Sequence, residues 1–127
     1  MTALPVTSVF VAIAAIALAC LGLLVAVTRL RMRVRFGDNG ESLLLKRIRT
    51  HGNFAEYVPL ALIALALIEY NGAAKWIVWS LGVVLVVSRA SHAAGILTGA
   101  IPFRSIGISL TFFMLTTAGL VLLRQVL

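Results

Sequence analysis

The sequence is poor in charge, and poorer still in charge of one sign. Four residues are acidic and eleven are basic, and charged residues make up 12% of the chain. Soluble domains carry roughly a quarter, so an ordinary soluble surface is excluded. Cysteine occurs once, as Cys20, which rules out an intrachain disulfide and a cysteine metal cluster. The two histidines, His51 and His92, lie far apart with no carboxylate–histidine spacing beside either, so no metal site is expected. Neither a glycine-rich phosphate loop nor a serine-nucleophile elbow occurs. Any reaction would have to use a cosubstrate's own nucleophile.

What the chain has in excess is apolar length. Hydrophobic residues make up 61% of it and the mean hydropathy is +1.08, and the apolar runs reach the ~20 residues that cross a bilayer. The run from Val9 to Thr28 contains no charge at all. It lacks a basic flank before it and an obvious cleavage site after it, so it reads as a retained span and not a signal peptide. The expectation is an all-α integral membrane protein, a four-helix bundle forming a single domain over residues 1–127. The helices are placed at about 4–33, 41–70, 73–97 and 103–126. Gly37 and Gly40 read as turn residues, with Asp38 or Asn39 as helix-start candidates. Asn71–Gly72 reads as a tight turn, and Pro102 leads into the fourth helix. Pro59 falls inside the second helix, where a membrane span tolerates it, often with a kink.

Basic residues beside hydrophobic spans report topology more than nucleic-acid binding, and no nucleic-acid partner is expected. Nine of the eleven (Arg29, Arg31, Arg33, Arg35, Lys46, Arg47, Arg49, Arg89 and Arg104) flank the first or third connection, leaving Lys75 and Arg124 for the other side. The positive-inside rule then puts loops one and three in the cytoplasm and both termini outside.

Some polar residues stand where apolar helix is beginning. In the stretch RTHGNFAEYVPLAL, Arg49, Asn53 and Glu56 are four and three apart and share a helix face. Tyr57 adjoins that face, and His51 lies on another side. A carboxylate at a membrane edge is costly unless paired or wetted, and usually faces a bundle interior or a polar cavity. A structural network anchoring the helix explains the same spacing. Arg89 and His92 share a face of the third helix, where snorkelling and a packing hydrogen bond would account for them. Arg104 is equally a topological anchor. Taken together, Arg29, Arg31, Arg49, Arg89 and Arg104 fall near one membrane depth, and two nearby acids, Asp38 and Glu56, are too few to pair with them. A small, multiply charged anion fits, since arginine binds carboxylates through paired hydrogen bonds. Lipid headgroups are the rival partner.

These residues resemble a known family, the membrane-associated proteins in eicosanoid and glutathione metabolism (MAPEG). The resemblance covers nearly the whole chain. It is sharpest in Arg-x-x-x-Asn-x-x-Glu, here Arg49, Asn53 and Glu56, followed by Tyr57 and Pro59. RLRMRVRFGDNG and RTHGN look especially like the small bacterial inner-membrane branch. The resemblance implies a homotrimer with glutathione as cosubstrate, held between adjacent subunits near the cytoplasmic face. Arg49, Asn53, Glu56 and Tyr57 would contact it from one subunit, with His51 standing where a related branch has a glutamine. Arg89 and His92 would come from the neighbour, His92 replacing a tyrosine. Arg29 or Arg31 would match a helix-one arginine. Arg104 resembles the arginine that stabilises the glutathione thiolate and is the candidate catalytic residue. Ile96 stands where a second helix-three tyrosine would be, so one hydroxyl is missing.

The function this implies is a glutathione-dependent transferase or peroxidase of the bacterial inner membrane, acting on hydrophobic electrophiles dissolved in lipid. The alternatives are a non-catalytic relative that binds lipid or a partner protein, and a small exporter with Glu56 as a proton-coupled site. A proton-coupled site would be expected nearer the bilayer middle and without surrounding arginines.

Overall fold

Pro5 opens the first helix, where its missing N–H is no loss because the first turn has no partner for it. The computed structural model describes residues 3–127. In it α1 spans Pro5–Met32, α2 Ser42–Tyr70, α3 Lys75–Thr98 and α4 Ile101–Val126. Each helix is long and apolar enough to cross a membrane. At 1.5 Å per residue the 29 residues of α2 extend ~43 Å, more than a hydrocarbon core of ~30 Å, so one end projects beyond it.

The turns follow from a few backbone positions. Arg33 adopts a left-handed conformation (φ 55°) and ends α1, the N–H of Val34 returning to the carbonyl of Arg29 at 3.0 Å. The loop then uses positive φ at Gly37, Asn39 and Gly40. That corrects the expected helix start. A capping residue needs extended backbone, which Asn39 at φ 52° does not have, and the cap position of α2 falls to Glu41 with no side-chain bond. Gly72 (φ 81°) closes the α2–α3 turn as its sequence suggests, and Ala73 and Ala74 are used up there, so α3 begins at Lys75. Pro102 sits inside the first turn of α4, not before it, which starts that helix at Ile101.

The helices run up and down. α2 and α3 each touch all three other helices, whereas α1 packs along α2 and part of α3 without meeting α4. Leu65, Ile68, Val78 and Met114 are fully buried where α2, α3 and α4 meet. α3 and α4 approach most closely at two glycines. A Cβ on Gly107 would fall 2.5–2.7 Å from the backbone of His92, and one on Gly95 would fall within 2.7 Å of Arg104 Cα. Small residues of this kind let helix backbones close up without a strong hydrophobic drive.

The two ends of α1 are tied differently. At one end the Glu69 carboxylate, from the last turn of α2, accepts hydrogen bonds from the N–H groups of Val6 (2.9 Å) and Thr7 (2.7 Å). α1 has no side-chain cap of its own, so a neighbouring helix supplies the anion that its N-terminus favours. At the other end Arg47 of α2 donates to the hydroxyl of Thr28. Arg29 reaches over the loop to the carbonyl of Gly37 at 2.7 Å.

Candidate functional site

A cleft of about 250 Å³ opens near the basic end of the bundle, between α2 and the α3–α4 connection. Lys46, Arg49 and Arg104 line it with Asn53, over a floor that includes Gly95 and Gly99. No carboxylate is among its lining residues. The local sequence explains the shape. Glycines at 95 and 99 leave α3 without side-chain bulk there, and the close contact at Gly95 brings the first turn of α4, carrying Arg104, against α3.

Behind the cleft Asn53 is held from two directions. Its side-chain nitrogen donates to the carbonyl of Arg49 at 3.2 Å, and its oxygen lies 3.2 Å from His92 Nε2. The other ring nitrogen of His92, Nδ1, lies 3.0 Å from the main-chain oxygen of Arg104. One imidazole thus links α2, α3 and α4, and it is buried, 5% exposed.

Arg89 does not snorkel. It is 5% exposed and turns into the bundle, where it donates to the hydroxyl of Thr111 and, at 3.5 Å, to the carbonyl of Gly107. Its guanidinium stacks 5.5 Å from the ring centre of Tyr57, which meets Phe112 edge-on at 5.9 Å. Thr111 in turn donates to Ser88 at 3.1 Å. Arg89 Nε is buried with no partner among the described residues. A buried guanidinium held by a hydroxyl, a carbonyl and an aromatic face joins α2, α3 and α4, with no counter-ion among the described residues.

The residues singled out in sequence therefore separate into groups. Arg49, Asn53 and Arg104 meet at the cleft, with His92 behind them. Arg89 and Tyr57 meet inside the bundle. Both contacts form within one chain. The reason is connectivity: α3 follows α2 through a short turn and packs along it. Glu56 is exposed and does not line the cleft, and its carboxylate lies back along the helix beside Gly52. His51 faces α1, with its Nε2 3.6 Å from the Cβ position of Gly22. Arg31 is exposed at the end of α1. Lys46, Ser88 and Thr111 were not singled out as site residues from the sequence. Lys46 stands one turn before Arg49, a spacing that could have pointed to it.

A second, larger cavity of about 320 Å³ lies between α1, α2 and α3, lined by Phe10, Ile13, Ala17, Phe54 and Leu85, with Arg89 at its edge. Its walls are almost wholly apolar. The chain thus has a cationic cleft at one end and an apolar groove along its side.

A sequence model of the MAPEG family matches residues 7–124. Inner membrane protein YecN of Escherichia coli strain K12 is 42% identical over 88 residues, covering 68% of this chain and 67% of that protein. The protein of the same name from an O6:H1 strain of Escherichia coli matches to the same extent.

Proposed function

The chain belongs to the MAPEG family, and from that premise we propose that it is a glutathione-dependent transferase of the inner membrane. The observation that carries the reading is the cleft in which Lys46, Arg49 and Arg104 converge with no carboxylate among them. Cations held together in this way call for a multiply charged anion. Glutathione has two carboxylates for the cations and one amine for Glu56. Its thiol has an unperturbed pKa of ~8.5 and attacks as the thiolate, which a nearby guanidinium favours. Arg104 is the residue proposed to hold that sulfur. The electrophile reaches it from the lipid, and the carbon–sulfur bond forms as the electrophile's leaving group departs or its ring opens.

In this reading the protein assembles as a homotrimer. Glu56, which is exposed and lies outside the cleft of its own chain, then faces a neighbouring copy, while His51 packs against α1. Loops one and three then lie in the cytoplasm and both termini outside, a reading supported by the nine of eleven basic residues that flank those loops. Ile96 favours a second reading, binding without turnover, because it lines the cleft as an apolar wall where the family resemblance puts a hydroxyl.

Glutathione titration of the purified protein by calorimetry, followed by turnover with a general electrophile, separates these readings. Binding with turnover supports the transferase, binding without turnover supports the second reading, and no binding removes both. Arg104→Ala then tests the catalytic assignment. It should cut turnover more than affinity and remove the thiolate's ultraviolet absorbance near neutral pH. A normal thiolate signal in that variant would leave Arg104 as an anchor for α4.

A further inference from the structure

His92 touches two groups, and one of them can only accept. The main-chain oxygen of Arg104 lies 3.0 Å from Nδ1, and a carbonyl has no proton to give. Nδ1 therefore carries a proton in every charge state that keeps this contact. The contact is well braced, because Gly107 brings the backbone of α4 against the backbone of His92 itself.

Nε2 decides the rest. It faces the side-chain oxygen of Asn53 at 3.2 Å, while Asn53 Nδ2 donates to the carbonyl of Arg49 at 3.2 Å. With both ring nitrogens facing oxygens, every bond is made only if the ring is an imidazolium donating twice. A neutral ring would set the Nε2 lone pair against the lone pairs of Asn53. The amide must then turn over, so that Nδ2 donates to Nε2 and the oxygen swings away. It cannot settle on the carbonyl of Arg49, which is also an acceptor, so it turns toward the cations of the cleft.

We propose that His92 is a positioning residue whose charge state decides which end of the Asn53 amide the cleft presents. Protonated, His92 holds the oxygen, and the Nδ2 hydrogen not given to the carbonyl of Arg49 is left as a donor toward the cleft side. Neutral, it holds the nitrogen and leaves an acceptor there. The charged groups that face the ring are Arg89 on its own helix and Arg104 on α4. α2 presents Asn53, with Arg49 one turn away. All of these charges are positive, and no carboxylate lines the cleft. An anion entering the cleft therefore favours the protonated ring and the donor end of Asn53 together. Only the identity of that anion rests on the glutathione reading.

The chain has two histidines, so His51→Gln leaves His92 as the only imidazole. Nitrogen NMR of ring-labelled protein in detergent micelles, titrated through the His92 transition, tests the proposal without any ligand. The neutral form should be the Nδ1–H tautomer, and the Asn53 side-chain amide signal should shift at the same midpoint. An Nε2–H tautomer, or an Asn53 amide indifferent to that midpoint, overturns the proposal. Wild-type protein, with two imidazoles to resolve, serves if His51→Gln does not assemble.

A second arm uses S-methylglutathione, which carries the carboxylates without a titrating thiol. Its affinity should fall about tenfold as pH rises through the same midpoint, the worth of one hydrogen bond to a charged group. It should be flat over that range in His92→Gln. A slope unchanged in His92→Gln overturns the link to binding. No binding at any pH removes the glutathione reading and leaves the NMR result to decide the role of His92.

Discussion

The two ends of the bundle solve the same problem with opposite chemistry. At the end where α2 turns into α3, one carboxylate answers one helix N-terminus, Glu69 against Val6 and Thr7, and the packing around it is aromatic, Phe10 meeting Trp79 at 5.3 Å over Gly82. At the basic end the cations outnumber their anions. Arg89 is buried against a hydroxyl and a ring, and Lys46, Arg49 and Arg104 share a cleft that no carboxylate enters. Closed pairs stabilise a fold and leave nothing for a ligand to do. Uncompensated cations at a membrane edge persist where something else neutralises them. That contrast separates an end whose charge is answered within the chain from one whose cleft cations meet no carboxylate among the described residues.

The largest effect expected from breaking it is at Gly95. A Cβ there meets the backbone of Arg104, which cannot move without displacing the start of α4. Overpacking against a backbone costs about 3 kcal/mol. Gly95→Ala should lower the thermal midpoint in detergent by several degrees and abolish glutathione binding, although every charged residue is kept. Full binding with an unchanged midpoint would show that the close α3–α4 approach does not build the cleft.

Next is the other end. Glu69→Ala removes both bonds to the N-terminus of α1. Bonds to a charged group contribute about 1.5–3 kcal/mol each when sheltered, and partial exposure reduces the pair to about 2 kcal/mol. α1 should become protease-sensitive near Val6 while the cleft still binds. Loss of both properties together would mean that the ends are coupled.

Much of this contrast was legible in the sequence, and the exceptions have physical reasons. Helix ends came out within about two residues because Gly37, Gly40 and Gly72 take the positive φ that turns need, and Pro102 has the fixed φ that suits a first helical turn. The charge asymmetry needed only counting. The inward turn of Arg89 was not legible, since an arginine near a helix end can snorkel or turn in. The choice is made by Thr111 on α4 and Tyr57 on α2, the helices that follow and precede its own. The Glu69 clasp was missed although a signal existed: α1 begins without a capping side chain, and an antiparallel neighbour ends in an acid. Likewise Arg49, Asn53 and Glu56 have a spacing that puts them on one face, yet only the first two line the cleft, because Glu56 lies one turn further from the basic end.

Glu56 gives the third prediction. Glu56→Gln should weaken glutathione binding about tenfold, the low end for a hydrogen bond to a charged group, with the thermal midpoint unchanged because the side chain is exposed and makes no bond that holds the bundle. An unchanged affinity would place the ligand wholly within the cleft of one chain, leaving Glu56 no part in it.

The smallest effect is expected at Gly82. Gly82 and Gly95 lie on the same helix, and a Cβ at either position overlaps a neighbour. At Gly82 the neighbour is the outer edge of the Phe10 ring, not a backbone. That ring borders the 320 Å³ apolar cavity, so it has room to turn aside. The cost is the edge-on contact with Trp79, about 1 kcal/mol for an aromatic pair beyond its buried area. Gly82→Ala should therefore lower the thermal midpoint only slightly and leave glutathione affinity at the wild-type value. Phe10→Leu, which removes the clashing ring edge, should make the same glycine substitution close to neutral. If Gly82→Ala proved as damaging as Gly95→Ala, the aromatic end would be as rigid as the basic one. The difference between a neighbour that can rotate and one that cannot would then not be what distinguishes them.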